Sequence, residues 1–160
     1  MLTLVSALIR ARRHFAHRPA FFTDDGRQIS WAAHCGEVSR LAGALAALGL
    51  RPGDRFAILA ANSARQATLI HAGYWMGAVG TPINTRLAPT EIARILDDSQ
   101  PACIWAGAAA LPIFDTPELS AWSDRAIDLE DSTGGAMANS YSSLLAPAEP
   151  ADVFEANEDS

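Results

Sequence analysis

The stretch Ser132-Thr133-Gly134-Gly135 has residue types that could hold a phosphate group. Small side chains let backbone N–H groups approach a phosphate closely, which is how glycine-rich loops bind nucleotides. The stretch contains no lysine, and it directly follows Glu130 and Asp131, whose carboxylates would repel ATP. The sequence therefore predicts an ordinary surface turn at this position rather than a nucleotide site.

Two further sets of polar residues have side chains suited to catalysis or metal binding, but their spacing along the chain does not favour either function. Asp97 and Asp98 resemble a pair of catalytic carboxylates, yet adjacent residues on a helix point apart, so we expect a solvated helix end. The histidines show no metal-ligand spacing with one another or with Cys35, which favours surface or core positions and no bound metal. They are His14, His17, His34 and His71.

Cysteine and aromatic residues are interpreted as part of the core. Cys35 and Cys103 are far apart and form no CxxC pair, so we predict buried reduced thiols rather than a disulfide or a zinc site. Aromatic rings can stack on an adenine or an acyl group, but those at the starts of strands and helices usually pack inside. This interpretation applies to Trp31, Tyr74, Trp75, Trp105 and Trp122.

Composition excludes several classes of function. All twelve basic residues are arginine, so no lysine of this chain can form a Schiff base, bind a phosphate or assist adenylation. The arginines are scattered without interleaved aromatic residues and the net charge is −6, which argues against a nucleic-acid partner. No apolar run reaches the roughly 18 to 20 residues of a membrane span, and residues 1–15 lack a signal-peptide core. We expect a cytoplasmic protein.

The hydrophobic pattern predicts helices and strands in alternation. Two helix starts have a residue that can accept a hydrogen bond from the first turn of the helix, namely Ser30 for one helix and Asn62 or Ser63 for the other. The sequence Asp24-Asp25-Gly26 is typical of a hairpin turn. This alternation favours an α/β fold, a doubly wound and largely parallel sheet with helices on both faces. Helices are predicted in the first 15 residues and at 31–48, 64–76 and 89–98, and strands at 20–23, 27–30, 55–60, 78–83, 102–106 and 125–129.

The last thirty residues differ in character from the rest. Residues 136–145 could form a short helix, and 146–160 are rich in proline and acidic residues. Such a composition is typical of a linker or tail. We therefore divide the chain into a globular portion, 1–145, and a linker, 146–160.

Four segments carry a resemblance to a known family. They are Ile29-Ser30-Trp31, the run from Gly49 to Leu59 with Ala61-Asn62-Ser63, the run from Gly77 to Leu87, and the run from Glu91 to Ser99. In this order the four segments resemble the adenylate-forming superfamily. Within that superfamily, the segment Pro82-Ile-Asn84-Thr-Arg86-Leu87 resembles acyl- and aryl-CoA ligases more than it resembles peptide-synthetase modules. The resemblance implies the N-terminal part of the large domain of such a ligase.

The activity implied by the resemblance is a two-step ligation. A carboxylic acid and ATP, with Mg²⁺, give an acyl-adenylate and pyrophosphate, and the thiol of CoA then releases AMP and the thioester. Relatives place the phosphate-binding loop, the hinge and a lysine-bearing C-terminal domain after the matching segment. The chain alone is therefore expected not to adenylate a substrate, and the remainder of the ligase polypeptide would be its partner. The segment does not indicate which acid is activated.

The resemblance also implies one ligand contact, at Arg86. In some CoA ligases the arginine of the Asn-x-Arg-Leu turn lies near the phosphates of CoA, and a guanidinium group is well suited to phosphate. The alternative is that Arg86 pairs with Glu91 or caps a neighbouring carbonyl. No residue of this chain is predicted to be catalytic or to bind a metal.

The resemblance is imperfect at two helix starts. Ala33 and Ala88 stand where relatives often have capping residues, and each loss is expected to cost about 0.5–2 kcal/mol of local stability.

Two other functions stay open. The chain could belong to a different adenylate-forming enzyme, such as a peptide-synthetase adenylation module or an acyl-AMP ligase. It could also be a non-catalytic fragment that binds another subunit or self-associates through an exposed apolar sheet edge.

Overall fold

The computed structural model describes residues 4–23, 26–134 and 139–154. Two short 3₁₀ helices, Leu111–Asp115 and Ser120–Arg125, precede the last strand. The remaining elements of the described residues are α1 (Leu4–Phe15), β1 (Pro19–Phe22), β2 (Gln28–Ser30), α2 (Trp31–Ala47), β3 (Arg55–Leu59), α3 (Ala64–Met76), β4 (Val79–Pro82), α4 (Pro89–Ser99), β5 (Cys103–Ala106), β6 (Ala126–Asp128) and α5 (Tyr141–Leu145).

The main sheet has four strands in the order β4-β3-β5-β6, and every neighbouring pair is parallel. Its two central strands, β3 and β5, are almost completely buried, as apolar runs covered on both faces should be. β1 and β2 form a separate antiparallel pair; of the predicted turn between them, Asp24 and Asp25 lie outside the described residues. The predicted parallel α/β fold is confirmed.

Alternate side chains of β3 enter two different hydrophobic cores, because successive residues of a strand point to opposite faces. Phe56 and Ile58 pack with buried residues of α2 and α3, while Ala57 and Leu59 pack with α4 and the 3₁₀ helices. Helix α1 adds Leu8 to the first core. Helices therefore cover both faces, which makes the sheet doubly wound as predicted.

Helix boundaries follow the predicted caps closely. Ser30 accepts a hydrogen bond from the Ala33 N–H (3.2 Å), and Ser63 accepts one from the Gln66 N–H (3.1 Å). Ala88 offers no such acceptor, but the Glu91 carboxylate accepts the Ala88 N–H at 2.9 Å. The predicted loss of capping at the start of α4 is therefore only partial.

Residues 148–154, here called the strap, run across α2 and α3. The Ala151 N–H donates to the Ser39 carbonyl (2.9 Å), the Trp75 indole donates to the Ala151 carbonyl (3.0 Å), and the Phe154 N–H donates to the Trp75 carbonyl (2.8 Å). This part of the predicted linker thus packs on the globular portion, whereas residues 155–160 lie outside the described part. Of the helix predicted at 136–145, the structure shows α5 from Tyr141 onwards. Residues 135–138 also lie outside the described part of the chain.

Across the described residues, none of the helices is both long enough and apolar enough to span a bilayer.

Candidate functional site

The strand order places a crevice at the carboxyl edge of the sheet. After β3 the chain turns into α3 on one face, and after β5 it turns into the 3₁₀ helices on the opposite face. Since β3 and β5 are neighbours, their connections leave in opposite directions and open a gap above the strand ends. In open α/β sheets this is the position at which ligands bind.

A cavity of about 330 Å³ occupies this gap. Small residues from the ends of β3 and β5 form its base, and Ile92 and Ile113 contribute apolar walls. The two polar side chains among its lining residues are Thr85, which follows β4, and Glu130, which follows β6. The base residues are Ala60, Ala61, Gly107 and Ala108.

Glu130 bridges the ends of two strands at this cavity. Its carboxylate accepts the Ala108 N–H at 3.2 Å, so β6 is tied to the loop that follows β5. Gly107 makes the approach possible, because a Cβ there would lie 3.0 Å from Glu130 Oε1 and 3.3 Å from the Ala60 Cβ. The small residue at position 107 therefore keeps the base of the cavity open.

Asp128 holds the backbone of the segment that contains Glu130 by accepting its hydrogen bonds. Its fully buried carboxylate accepts the N–H groups of Glu130 (3.0 Å) and Thr133 (2.8 Å) and the hydroxyl of Ser132 (3.1 Å). Burial alone would raise the pKa of Asp128, but these hydrogen bonds outweigh it and hold the pKa below its ordinary value. Ser132 and Thr133 form a turn directed at Asp128, which confirms the predicted turn; Gly135 lies outside the described residues.

Arg65 neutralises the acidic residue next to that turn. Its guanidinium forms an ion pair with Asp131 (2.8 Å), donates to the Leu129 carbonyl (2.9 Å) and lies over the Tyr141 ring at 4.6 Å. Burial opposes ionisation of Asp131, but hydrogen bonds from Ser142 and the charge of Arg65 lower its pKa to about 2. Sequence reasoning misses this pair, because its members are far apart along the chain.

Arg86 projects from a turn at the end of β4, beside the cavity. The Asn84 side chain accepts the Arg86 N–H at 3.0 Å, and the Asn84 carbonyl accepts the Leu87 N–H at 3.3 Å. The side chain of Arg86 is exposed, and within the described ranges no carboxylate forms an ion pair with it. Glu91 instead caps α4. The alternative in which Arg86 pairs with Glu91 is thus not observed.

Two of the four histidines considered in the sequence analysis are in contact, although they are 37 positions apart along the chain. His34 Nε2 and His71 Nδ1 lie 2.8 Å apart, and only 1% of His34 is exposed. Burial, together with the charge of His71, lowers the pKa of His34 to about 4, and burial also lowers the pKa of His71. In the described part of the chain no group of three ligating side chains is placed to hold a metal ion.

The remaining candidates lie where the sequence predicts. Asp97 and Asp98 are exposed at the end of α4, and Cys35 and Cys103 are buried free thiols. Burial raises the pKa of Cys103 to about 12, so this thiol is inert. Among the aromatic residues, Trp75, Trp105 and Trp122 are buried, while Trp31 and Tyr74 are half-buried.

A doubly wound parallel sheet with a cavity at its switch point is typical of α/β proteins that bind a ligand at the carboxyl edge of the sheet. Comparison with known families is more specific. The model of the AMP-binding enzyme family matches residues 8–153, which is nearly the whole chain. The chain belongs to that family, and the predicted resemblance is confirmed.

Curated relatives of the chain include acyl-CoA ligases. The long-chain-fatty-acid–CoA ligase FadD13 of Mycobacterium tuberculosis (strain ATCC 25618 / H37Rv) is 43% identical over 78 residues, which cover 49% of this chain and 16% of the relative. The putative acyl-CoA ligase YdaB of Bacillus subtilis is 33% identical over 94 residues, which cover 58% of this chain and 19% of the relative. The chain therefore spans only a small part of the length of the relatives it matches.

Solved structures show the same fold over the whole chain. The N-terminal domain of FACL13 from Mycobacterium tuberculosis superimposes with a TM-score of 0.83 at 27% identity, covering 99% of this chain and 40% of that one. A benzoate CoA ligase from Burkholderia xenovorans superimposes with a TM-score of 0.84, and the match covers 100% of this chain and 32% of the ligase. At 20% identity, the second likeness supports the fold alone.

Proposed function

We propose that the chain forms the N-terminal part of an AMP-forming acyl- or aryl-CoA ligase and that Arg86 contacts the phosphates of CoA. The first part is supported by the match to the AMP-binding family and by CoA ligases among the relatives. The second is supported by one observation, the exposed guanidinium of Arg86, which has no ion-pair partner among the described residues and follows a residue that lines the cavity. A guanidinium group in this state can bind a phosphate without first breaking an ion pair.

The residues of this chain suit CoA better than the phosphates of ATP. The turn at Ser132 and Thr133 has its donors directed at Asp128, so they are not available to a triphosphate. ATP and its Mg²⁺ would therefore be held by the remainder of the ligase polypeptide. The role of this chain would be to supply half of the sheet, one wall of the cleft and a contact to the thiol donor.

Titration of the chain with CoA tests the role of Arg86. Losing a charge-assisted hydrogen bond costs about 1.5–3 kcal/mol, so Arg86→Ala should weaken CoA binding by roughly 10- to 100-fold. Arg94→Ala is the matched control, since Arg94 is also an exposed arginine and lies within α4. In a polypeptide that includes the remainder of the ligase, Arg86→Ala should raise the KM for CoA and leave pyrophosphate exchange unchanged. Equal affinities of Arg86→Ala and Arg94→Ala for CoA would contradict the assignment.

A carrier protein is a second candidate for the thiol acceptor. The fatty acid–[acyl-carrier-protein] ligase ScoC of Streptomyces coeruleorubidus is 35% identical over 97 residues, covering 61% of this chain and 18% of the relative. A carrier protein presents the thiol without the adenine nucleotide of CoA. Thioester formation on a carrier protein that is faster than on free CoA would favour this alternative.

Self-association remains the non-catalytic alternative. β4 forms one edge of the sheet, and half of its Val79 side chain is exposed. An open edge of this kind can pair with another chain. Size-exclusion chromatography tests this, because a self-associating fragment elutes earlier at higher concentration and a self-contained one does not.

A further inference from the structure

We infer that Asn84 is a positioning residue, which holds the turn from which Arg86 reaches a phosphate of CoA. The inference rests on the proposed function, in which Arg86 makes that contact. Asn84 is assigned no contact with CoA, and its effect on CoA binding runs entirely through Arg86. The role of Asn84 can therefore fail while the phosphate contact of Arg86 stands.

Asn84 closes the turn with both of its oxygens. Its side-chain oxygen accepts the Arg86 N–H at 3.0 Å, and its main-chain carbonyl accepts the Leu87 N–H at 3.3 Å. An asparagine that bonds to its own backbone two residues further on mimics a turn of the main chain. Among the described residues, no other side chain bonds to the backbone of Thr85, Arg86 or Leu87. The asparagine thus holds the N–H at the base of the functional side chain.

Other contacts anchor the two ends of the turn, so only its middle depends on the asparagine. Before the turn, the Ile83 N–H donates to the Ile58 carbonyl at 2.8 Å, which continues the pairing of β4 with β3. After the turn, Leu87 packs against the hydrophobic core that contains residues of α4. The two residues between these anchors, Thr85 and Arg86, are exposed. Loss of the asparagine side chain would therefore free the middle of the turn and leave its ends in place.

A fixed backbone at position 86 matters because the arginine side chain is long. Such a side chain loses conformational freedom when it binds a ligand, and a mobile backbone beneath it adds to that cost. A backbone that is already held before the ligand arrives reduces the cost. Asparagine suits this task better than aspartate, because its side chain accepts the same hydrogen bond without placing a negative charge beside a phosphate.

A double-mutant cycle separates positioning from a contact that Asn84 makes itself. CoA is titrated by calorimetry into the 160-residue chain carrying Asn84→Ala, Arg86→Ala or both substitutions. Asn84→Ala alone should weaken CoA binding by about fivefold, which is the effect of losing one ordinary hydrogen bond. In the Arg86→Ala background the same substitution should change the affinity by less than about twofold, because the side chain that it positions is absent.

Hydrogen exchange at the Arg86 amide gives a second readout, and Asn84→Asp is the conservative variant for it. The exchange should be faster in Asn84→Ala than in the wild-type chain. Asn84→Asp keeps the acceptor, so it should restore slow exchange. It should nevertheless bind CoA less tightly than the wild-type chain, because its charge opposes the phosphate. Fast exchange in Asn84→Asp, or slow exchange in Asn84→Ala, would contradict the inference.

Asn62→Ala is the matched control for the affinity measurement. Asn62 is also an exposed asparagine that follows a strand, and its side chain makes no hydrogen bond within the described residues. This variant should keep the wild-type affinity for CoA. If Asn84→Ala leaves the affinity unchanged, or weakens it equally with and without Arg86, the inference is overturned while the role of Arg86 stands. If Arg86→Ala itself has no effect, the inference and the proposed phosphate contact are both wrong.

Discussion

Two glycines of α2 allow a direct measurement of how strongly the strap is held. A Cβ at Gly36 would meet nothing within 4 Å, whereas a Cβ at Gly43 would overlap the carbonyl oxygen of Glu149 in the strap. Both residues lie in the same helix. Gly43→Ala must therefore displace the strap, while Gly36→Ala changes only the helix.

The expected magnitudes follow from the contacts of the strap. Glycine to alanine within a helix gains about 1 kcal/mol of stability, which is all that Gly36→Ala should show. Displacing the strap removes three hydrogen bonds, those joining Ala151 with Ser39, Ala151 with Trp75, and Phe154 with Trp75. At about 1 kcal/mol each, their loss outweighs the helical gain, so Gly43→Ala should be net destabilising by about 2 kcal/mol.

Urea unfolding followed by circular dichroism compares the two variants, and we expect their free energies of unfolding to differ by about 3 kcal/mol. Hydrogen exchange at the Ala151 amide gives the local readout, because protection there should be lost in Gly43→Ala and kept in Gly36→Ala. If both variants are stabilised equally and both keep that protection, the strap contributes nothing and the reasoning is refuted.

The other predictions concern buried ionisable groups. Asp128→Asn replaces one carboxylate oxygen with an N–H₂ donor that would face the N–H of either Glu130 or Thr133, so it should lower the free energy of unfolding by about 2–4 kcal/mol, against less than about 0.5 kcal/mol for the exposed Asp97→Asn. Stability should also fall as the pH drops from 6.5 towards 4, because burial depresses the pKa of His34 and the unfolded chain binds protons first. His34→Gln should flatten that slope, whereas the exposed His14→Gln should not.

For Asp128, urea midpoints that match between Asp128→Asn and Asp97→Asn would show that the buried hydrogen bonds add nothing to stability. For the histidine pair, an unchanged slope of stability against pH in His34→Gln would show that the pair is not the group that titrates.

Local features of the fold can be predicted from the sequence because short-range chemistry determines them. The predicted helix 64–76 has the same bounds in the structure, since Ser63 is an N-cap and Gly77 adopts the positive φ of 77° that ends a helix. The order of helices and strands follows from the hydrophobic period for the same reason. Parallel pairing then follows from alternation, because consecutive parallel strands need a crossover helix.

Contacts between distant residues cannot be predicted in this way. His34 and His71 are on different helices, and nothing in their spacing shows that α2 and α3 place them 2.8 Å apart. The composition of residues 146–160, rich in proline and acidic residues, predicts a linker. Composition does not record that the backbone of the strap reaches Ser39 and Trp75. The cavity at the sheet edge depends likewise on strand order, which brings the ends of β3 and β5 together.

The distribution of charge around Arg86 shows how geometry can reverse an inference from composition. Residues 66–160 hold three arginines against fourteen acidic residues, which by itself predicts a surface that repels CoA. In the structure four carboxylates near the carboxyl edge each have a donor. Asp131 pairs with Arg65, and Asp128 accepts two N–H groups. Glu91 accepts the N–H at the start of α4, and Glu130 accepts the N–H of Ala108. Such pairing reduces the repulsion that each carboxylate exerts on an anion, while the guanidinium of Arg86 keeps its charge exposed. An acidic segment can thus offer a phosphate a favourable contact at the edge where the strand ends meet.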